Sequence, residues 1–199
     1  TLNVIMLVWP LDAIKAWQPA SSGVTDGRLT CVETAKGQAV VLAKLTDRQR
    51  RGSIFMPMHW TDAFAPAGRA NAMVSGPVDS SSGQPEFKHT PARRDGYRET
   101  WAGFYISREA AAQPRGAEII WRRVPHEGAH LHEFAGRGDD AERDLVVRAL
   151  TRNARGECVR FDDPAARSSR QAWIDGNRLD RMLFFGQRLP PRDWLVAAF

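Results

Sequence analysis

Residues 46–88 read TDRQRRGSIFMPMHWTDAFAPAGRANAMVSGPVDSSSGQPEFK, and this stretch decides how the first half of the chain folds. It begins with a polar, basic run over residues 47–52 and continues with a short apolar strand predicted at residues 53–56, which Pro57 ends. A long irregular segment follows, and long loops inside compact domains are usually functional. Its amide and lysine side chains and main-chain N–H groups suit a large polar ligand with phosphates or a purine edge.

This stretch resembles the C-terminal cofactor domain of molybdenum oxidoreductases that carry two molybdopterin guanine dinucleotides. Within that family it is similar to the assimilatory nitrate reductase catalytic subunit. The motifs that carry the resemblance are TDRQRRGSIFMPMHWTDAFA, NAMV and VDSSSGQPEFK. Ser80 stands where the family usually has proline, and we expect this difference to loosen the turn after Asp79 because proline would fix one φ angle.

The predicted fold class is mainly β with α+β. For residues 1–94 the resemblance implies a molybdopterin dinucleotide-binding double-psi β-barrel. This barrel would be incomplete at its N-terminus, because the family's first strand and its TGR…HWHT loop have no counterpart here. Residues 95–199 are predicted to form a separate small α+β domain, with the boundary near residues 93–96.

The resemblance implies a set of cofactor-binding residues and no catalytic residue; the set is Asn71, Lys88, His59, Trp60, Arg69 and Gln84. Asn71 falls where the family has an amide that hydrogen-bonds the dinucleotide, and an amide can donate and accept at a pterin or guanine edge. Lys88 falls on a second contact position and offers a mobile cation for the pyrophosphate. The alternative is that Asn71 caps its loop and Lys88 is a surface cation.

The sequence is compatible with two roles for His59 and Trp60. Both residues lie within the PMHW motif, so they could line the cofactor cleft or a substrate funnel. In the other reading, Trp60 packs at the end of the barrel and His59 forms a local hydrogen bond. Arg69 and Gln84 are the weaker neighbours of the predicted site.

The resemblance implies a C-terminal fragment of a molybdenum-dependent nitrate reductase, whose complete form reduces nitrate to nitrite with two electrons. The cofactor is molybdopterin guanine dinucleotide, as Mo-bis-MGD in the parent enzyme, and the partners are the remaining domains of that enzyme. We expect no iron–sulfur site in this chain and no activity from the chain alone. The alternatives are a stand-alone, non-catalytic module for binding or assembling the pterin dinucleotide, or the same domain of a formate dehydrogenase-type molybdoenzyme.

Composition limits the other classes of function. The 199 residues carry a formal net charge of +5, but the arginines are scattered, so a solvated basic surface is favoured over nucleic-acid binding. The apolar residues 2–9 are too few to span a membrane and lack the features of a secretory signal. The cysteines Cys31 and Cys158 lie far apart, which indicates buried free thiols in a cytoplasmic protein.

Apolar and β-branched residues predict strands at residues 2–9, 28–32 and 38–45, with a helical turn at 10–13. The turn at residues 35–37 is predicted to need a positive φ at Gly37. In the second half, strands are predicted at residues 101–107, 118–124, 157–161, 170–174 and 178–185. A helix is predicted at 139–149 with apolar Leu145, Val146 and Leu150, and a short one at 194–199.

Three histidines, His126, His130 and His132, lie in a stretch predicted to be a loop over residues 125–138. Their spacing is found among metal ligands, but zinc needs three or four convergent ligands. We therefore expect a solvated loop without a structural metal, and the metal site stays as the alternative.

Overall fold

The computed structural model describes residues 6–9, 24–45, 53–74, 76–84, 90–113, 119–187 and 189–199, with residues 6–9 as main chain alone. These residues fall into two compact units, Thr1–Arg98 and Glu99–Phe199. The helical turn predicted at 10–13 and the basic run at 47–52 lie outside the described residues.

The first unit is built on a four-stranded sheet with the order β1-β3-β2-β4. Its strands are β1 (Met6–Trp9), β2 (Leu29–Glu33), β3 (Gln38–Leu45) and β4 (Arg93–Gly96). β1 runs parallel to β3, whereas β2 is antiparallel to both β3 and β4. The stretch at 93–96, where the sequence predicted the domain boundary, is therefore a paired strand, and the two units part after Arg98.

One face of this sheet is covered by the irregular segment that follows it. Buried side chains of β2 and β3 pack against that segment and form one core cluster, which contains Val32, Ala39, Val41, Ala43, Ala65 and Met73. Ala65 and Met73 come from the irregular segment itself. The segment is therefore fixed to the sheet by its apolar residues, which leaves its polar side chains free to face outward.

Two local predictions for the first unit are wrong. Gly37 does not adopt a positive φ, and Gly27 does, at 71°. Residues 53–56 form no continuous strand, since Phe55 makes an isolated bridge alone. The alternation expected of a strand is nevertheless kept, because Ile54 and Met56 pack against the core while Phe55 is 50% exposed.

The second unit is a six-stranded antiparallel sheet with the order β6-β7-β5-β10-β9-β8. Its strands are β5 (Trp101–Ser107), β6 (Ile120–His126), β7 (Ala129–Gly136), β8 (Glu157–Asp163), β9 (Ser168–Asp175) and β10 (Arg178–Phe185). Two helices accompany the sheet: α1 (Asp140–Thr151) and the short α2 (Asp193–Val196).

Each helix contributes to a separate core. Val146 and Leu150 of α1 pack in a cluster with Trp101, Phe134 and Phe185 from the sheet. Leu195 and Val196 of α2 pack in another cluster, which contains Phe104, Ile106, Leu131 and Phe184. Consecutive residues of β5, such as Phe104 and Tyr105, point to opposite faces of the sheet and enter different clusters. Both faces of the central strands are therefore covered. Leu145, predicted for the apolar face of the helix, is 61% exposed instead.

The predicted histidine loop at 125–138 is wrong. β6 continues to His126, a turn passes through Gly128 at a φ of 76°, and β7 runs from Ala129 to Gly136. The expectation of buried thiols also fails, because Cys158 is exposed and Cys31 is half-buried, and both are free.

The mainly β class predicted from the sequence is confirmed, because strands form the framework of both units. Among the described residues, no helix is long and apolar enough to cross a membrane.

Candidate functional site

Asn71 occupies the second of two consecutive 3₁₀ turns in the irregular segment of the first unit. The turns cover Pro66–Gly68 and Ala70–Ala72. The N–H of Met73 donates to the carbonyl of Ala70 (3.0 Å), and the side chain of Met73 is buried in the core. Asn71 itself is exposed. Its amide is therefore presented to solvent by a turn whose main chain is held by the buried residue that follows it.

The β2–β3 hairpin turn contacts the 3₁₀ turn that carries Asn71. The hydroxyl of Thr34 donates to the carbonyl of Met73 (2.8 Å) and accepts from the N–H of Lys36 (3.1 Å). A Cβ placed on Gly37 would lie 2.9 Å from the carbonyl oxygen of Ala72. Gly37 is therefore required by close approach of another segment and not by its φ. Sequence reasoning missed both Thr34 and Gly37 as site residues, because no local pattern reveals a contact so far along the chain.

Arg69, which precedes the Asn71 turn, forms an ion pair with Asp62. Its Nε lies 2.9 Å from Oδ1 of Asp62, and both side chains are exposed. Exposed pairs of this kind contribute little to stability, about 0–1 kcal/mol. Their importance here is electrostatic, since Asp62 offsets the charge that Arg69 would offer to an anion.

Gln84 lies at the end of a separate turn that Asp79 organises. The Asp79 carboxylate accepts hydrogen bonds from the N–H of Ser82 (2.7 Å), the hydroxyl of Ser82 (2.9 Å) and the N–H of Ser81 (3.0 Å). These bonds, above all those from Ser82, lower the pKa of Asp79. The carbonyl of Gln84 accepts from the N–H of Asp79 (2.9 Å) and closes the turn. The turn was expected to be loose because Ser80 stands where the family usually has proline. Hydrogen bonds to the Asp79 side chain hold it instead.

The remaining predicted residues take different positions. Trp60 is half-buried and packs against the core cluster of the first unit, and His59 beside it is exposed. Lys88 lies outside the described residues. In the described segments 53–74 and 76–84, no hydrogen bond joins Gln84 to Asn71. The structure therefore places Arg69 directly before the turn that contains Asn71, and Gln84 in a turn of its own.

The groups available suit one end of a pterin dinucleotide. The exposed Asn71 amide has the donor and acceptor that a guanine or pterin edge requires, and it stands on a fixed main chain. For the pyrophosphate, the described part of the segment contributes one arginine, Arg69, which Asp62 already pairs. Among the described residues of the segment, the exposed amide of Asn71 therefore has the chemistry to hydrogen-bond such a heterocycle.

The three histidines do not share one surface of the second unit. Paired residues of neighbouring strands share a sheet face, so His126 lies with Ala129 on one face. His130 and His132 lie on the other face, with ring centroids 6.5 Å apart. Within the described residues, no group of three or more His, Cys, Asp or Glu side chains converges on a possible metal position.

Comparison with known proteins finds similarity over part of the chain. Residues 19–91 match the family described as "Molydopterin dinucleotide binding domain", and this range contains the hairpin, the Asn71 turn and the Asp79 turn. A nitrate reductase of Klebsiella oxytoca is 37% identical over 122 residues, which are 61% of this chain and 14% of that protein. The chain therefore spans a small part of the length of this relative.

Proposed function

We propose that the chain is the cofactor-binding part of a molybdenum-dependent nitrate reductase, because residues 19–91 match the molydopterin dinucleotide binding domain family. The similarity to the Klebsiella oxytoca enzyme supports nitrate as the substrate of the complete protein, because that relative is named a nitrate reductase. A formate dehydrogenase-type parent or a non-catalytic binding module has no comparable support.

The observation that carries the proposal is the exposed amide of Asn71 within the matched range. The sheet and the hairpin fix its main chain, so little conformational freedom is lost when a ligand is bound. Asn71 would hydrogen-bond the heterocycle of the dinucleotide, and Lys88 would contact its pyrophosphate. When bound, the cofactor supplies the molybdenum at which an oxyanion is reduced by two electrons.

The other predicted residues have supporting roles in this proposal. Trp60, half-buried on the core, would form an apolar wall of the cleft, and exposed His59 would offer a polar edge beside it. Arg69 and Gln84 would flank the nucleotide. The first unit would be part of a double-psi β-barrel that the rest of the enzyme completes, with a pair of dinucleotides bound by the whole protein. The predicted assimilatory role and cytoplasmic location belong to the same proposal, as does the lack of an iron–sulfur site in this chain.

The proposal is tested in the complete enzyme with Asn71→Ala and Lys88→Ala. Losing a hydrogen bond to a buried polar edge, or a charge-assisted contact to phosphate, costs roughly 1–3 kcal/mol. We expect less molybdenum and less releasable guanine nucleotide per protein, with nitrate turnover per molybdenum close to wild type. Both metal content and nucleotide content are measured on the purified protein.

Matched controls come from exposed residues of the same types. Asn153→Ala changes an asparagine in the turn after α1, and Lys44→Ala changes a lysine on β3. Both should leave cofactor content unchanged. If Asn71→Ala and Lys88→Ala also leave it unchanged, the assignment of these two residues to the cofactor is wrong.

A further inference from the structure

We propose that Thr34 and Gly37, in the β2–β3 hairpin turn, are positioning residues that set cofactor affinity by fixing the turn that carries Asn71. They would not touch the cofactor themselves. This inference rests on the proposed function for its effect on the cofactor, but its structural basis is independent of any ligand. It assigns a role to a hairpin turn that the site residues predicted from the sequence do not include.

The first argument is steric. A Cβ at Gly37 would lie 2.9 Å from the carbonyl oxygen of Ala72, which is closer than such atoms approach in proteins. The neighbour is main chain, so it cannot rotate away as a side-chain end could. Gly37 has no positive φ, so alanine itself would adopt the local conformation without backbone strain. An added methyl group therefore acts mainly by pushing on Ala72, the residue directly after Asn71.

The second argument is the hydrogen bonding of Thr34. Its hydroxyl donates to the carbonyl of Met73 at 2.8 Å, and this carbonyl belongs to the residue that anchors the turn in the core. The hydroxyl also accepts from the N–H of Lys36, and the N–H of Thr34 donates to the carbonyl of Gly37 at 2.8 Å. One side chain therefore connects the closed hairpin turn to the Asn71 turn, and the two must move together.

Asn71 directly precedes the two residues that these contacts restrain. Contact with Gly37 limits Ala72 from one direction, and the hydroxyl of Thr34 holds Met73 from another. An amide must reach its partner within hydrogen-bond distance, and small displacements of a site residue weaken binding strongly. A hairpin turn that shifts this main chain would therefore misplace the amide of Asn71 without removing it.

The first experiment measures hydrogen exchange in the 199-residue chain without cofactor. The amides of Ala72 and Met73, which donate within the turn, report its opening. Gly37→Ala and Thr34→Val should speed their exchange by about tenfold or more, because overpacking and loss of a partly buried hydrogen bond each favour local opening. Thr34→Ser keeps the hydroxyl and should restore slow exchange. Gly76→Ala is the matched control, since a Cβ there meets nothing within 4 Å.

The second experiment measures guanine nucleotide content in the complete enzyme, alone and in combination with Asn71→Ala. Gly37→Ala should lower the content at least about threefold, as expected for a displaced hydrogen-bonding group. In the Asn71→Ala background the same change should have no further effect, because a positioning residue acts only through the group that it positions. A general loss of folding would instead lower the content in both backgrounds.

The outcomes separate the two proposals. Unchanged exchange at Ala72 and Met73 in both Gly37→Ala and Thr34→Val overturns the positioning role, whatever the cofactor content. Faster exchange with equal loss of nucleotide in the presence and absence of Asn71 also overturns it. If exchange is faster but Asn71→Ala itself leaves nucleotide content unchanged, it is the assignment of Asn71 in the proposed function that fails, and the hairpin does not set affinity through it.

Discussion

The main-chain N–H of Ala111 donates a hydrogen bond to Nε2 of His132 at 3.3 Å, and this imidazole is buried within the second unit. A nitrogen that accepts a hydrogen bond cannot carry a proton, so the geometry requires a neutral ring protonated at Nδ1. Burial above all, and then the electrostatic effects of Arg123 and His130, together lower the pKa of His132 from 6.5 to about 4. The second unit therefore contains a histidine that folding keeps uncharged.

We expect acid to destabilise the second unit through His132. The unfolded chain takes up a proton near pH 6.5, whereas the folded protein resists it down to about pH 4. The stabilisation is therefore complete above pH 6.5 and is lost as the pH falls toward 4, by on the order of 3 kcal/mol. Urea unfolding at neutral pH and at about pH 5 measures the loss.

His132→Phe should reduce this pH dependence, although the variant is less stable at neutral pH because the bond from Ala111 is lost. His126→Gln is the control, since His126 is exposed on the opposite face of the sheet. It should leave the pH dependence as in the wild type. Equal pH dependence in His132→Phe and the wild type would contradict the prediction.

Helix α1 depends on the side chain of Asp139 at its start. Oδ1 of Asp139 accepts from the N–H of Glu142 (3.0 Å), and the Glu142 carboxylate accepts in return from the N–H of Gly138 (3.0 Å). Asp139→Ala should lower the free energy of unfolding by about 1 kcal/mol, because an N-terminal N–H group loses its partner. Asp139→Ser keeps an acceptor and should remain close to wild type in urea unfolding. A loss in Asp139→Ser equal to that in Asp139→Ala would show that capping is not the cause.

Limited trypsin digestion tests the boundary between the two units. Arg94 is buried on β4, where it pairs with Val32 of β2, whereas Arg98 is exposed and lies outside the strands. Cleavage requires local opening of the chain, and strand pairing protects against it. Mass spectrometry should therefore detect cleavage after Arg98 before cleavage after Arg94. Earlier cleavage after Arg94 would show that β4 is not stably paired in solution.

Local turn chemistry made the C-terminal hairpin predictable. Asp175-Gly176-Asn177, a sequence typical of hairpin turns, separates the strands predicted at residues 170–174 and 178–185, and the structure has β9 and β10 there with a φ of 62° at Gly176. β7 was missed because it lies between β6 and β5 with both faces covered, and it buries polar residues such as His132 and Glu133. Its sequence lacks the period-two alternation of a half-exposed strand and therefore resembles a loop.

The candidate site was predictable only as a segment. The motif around Asn71 located it, and the amide chemistry of Asn71 indicated its class of ligand. The contacts that fix the site could not be predicted from the sequence. Gly37 approaches Ala72, and Thr34 reaches Met73, across a long stretch of chain. Sequence periodicity describes neighbours within an element, whereas these contacts depend on how a loop folds back over a hairpin.

The parallel pairing of β1 with β3 also affects how the chain folds during synthesis. The hairpin of β2 and β3 needs only a short turn to close, so it can form once Leu45 has emerged from the ribosome. β1 is made earlier but pairs with β3, so Met6–Trp9 must wait for its partner. Until then this apolar segment lacks the strand with which it pairs in the folded sheet, so the sheet is completed only after the hairpin has been made.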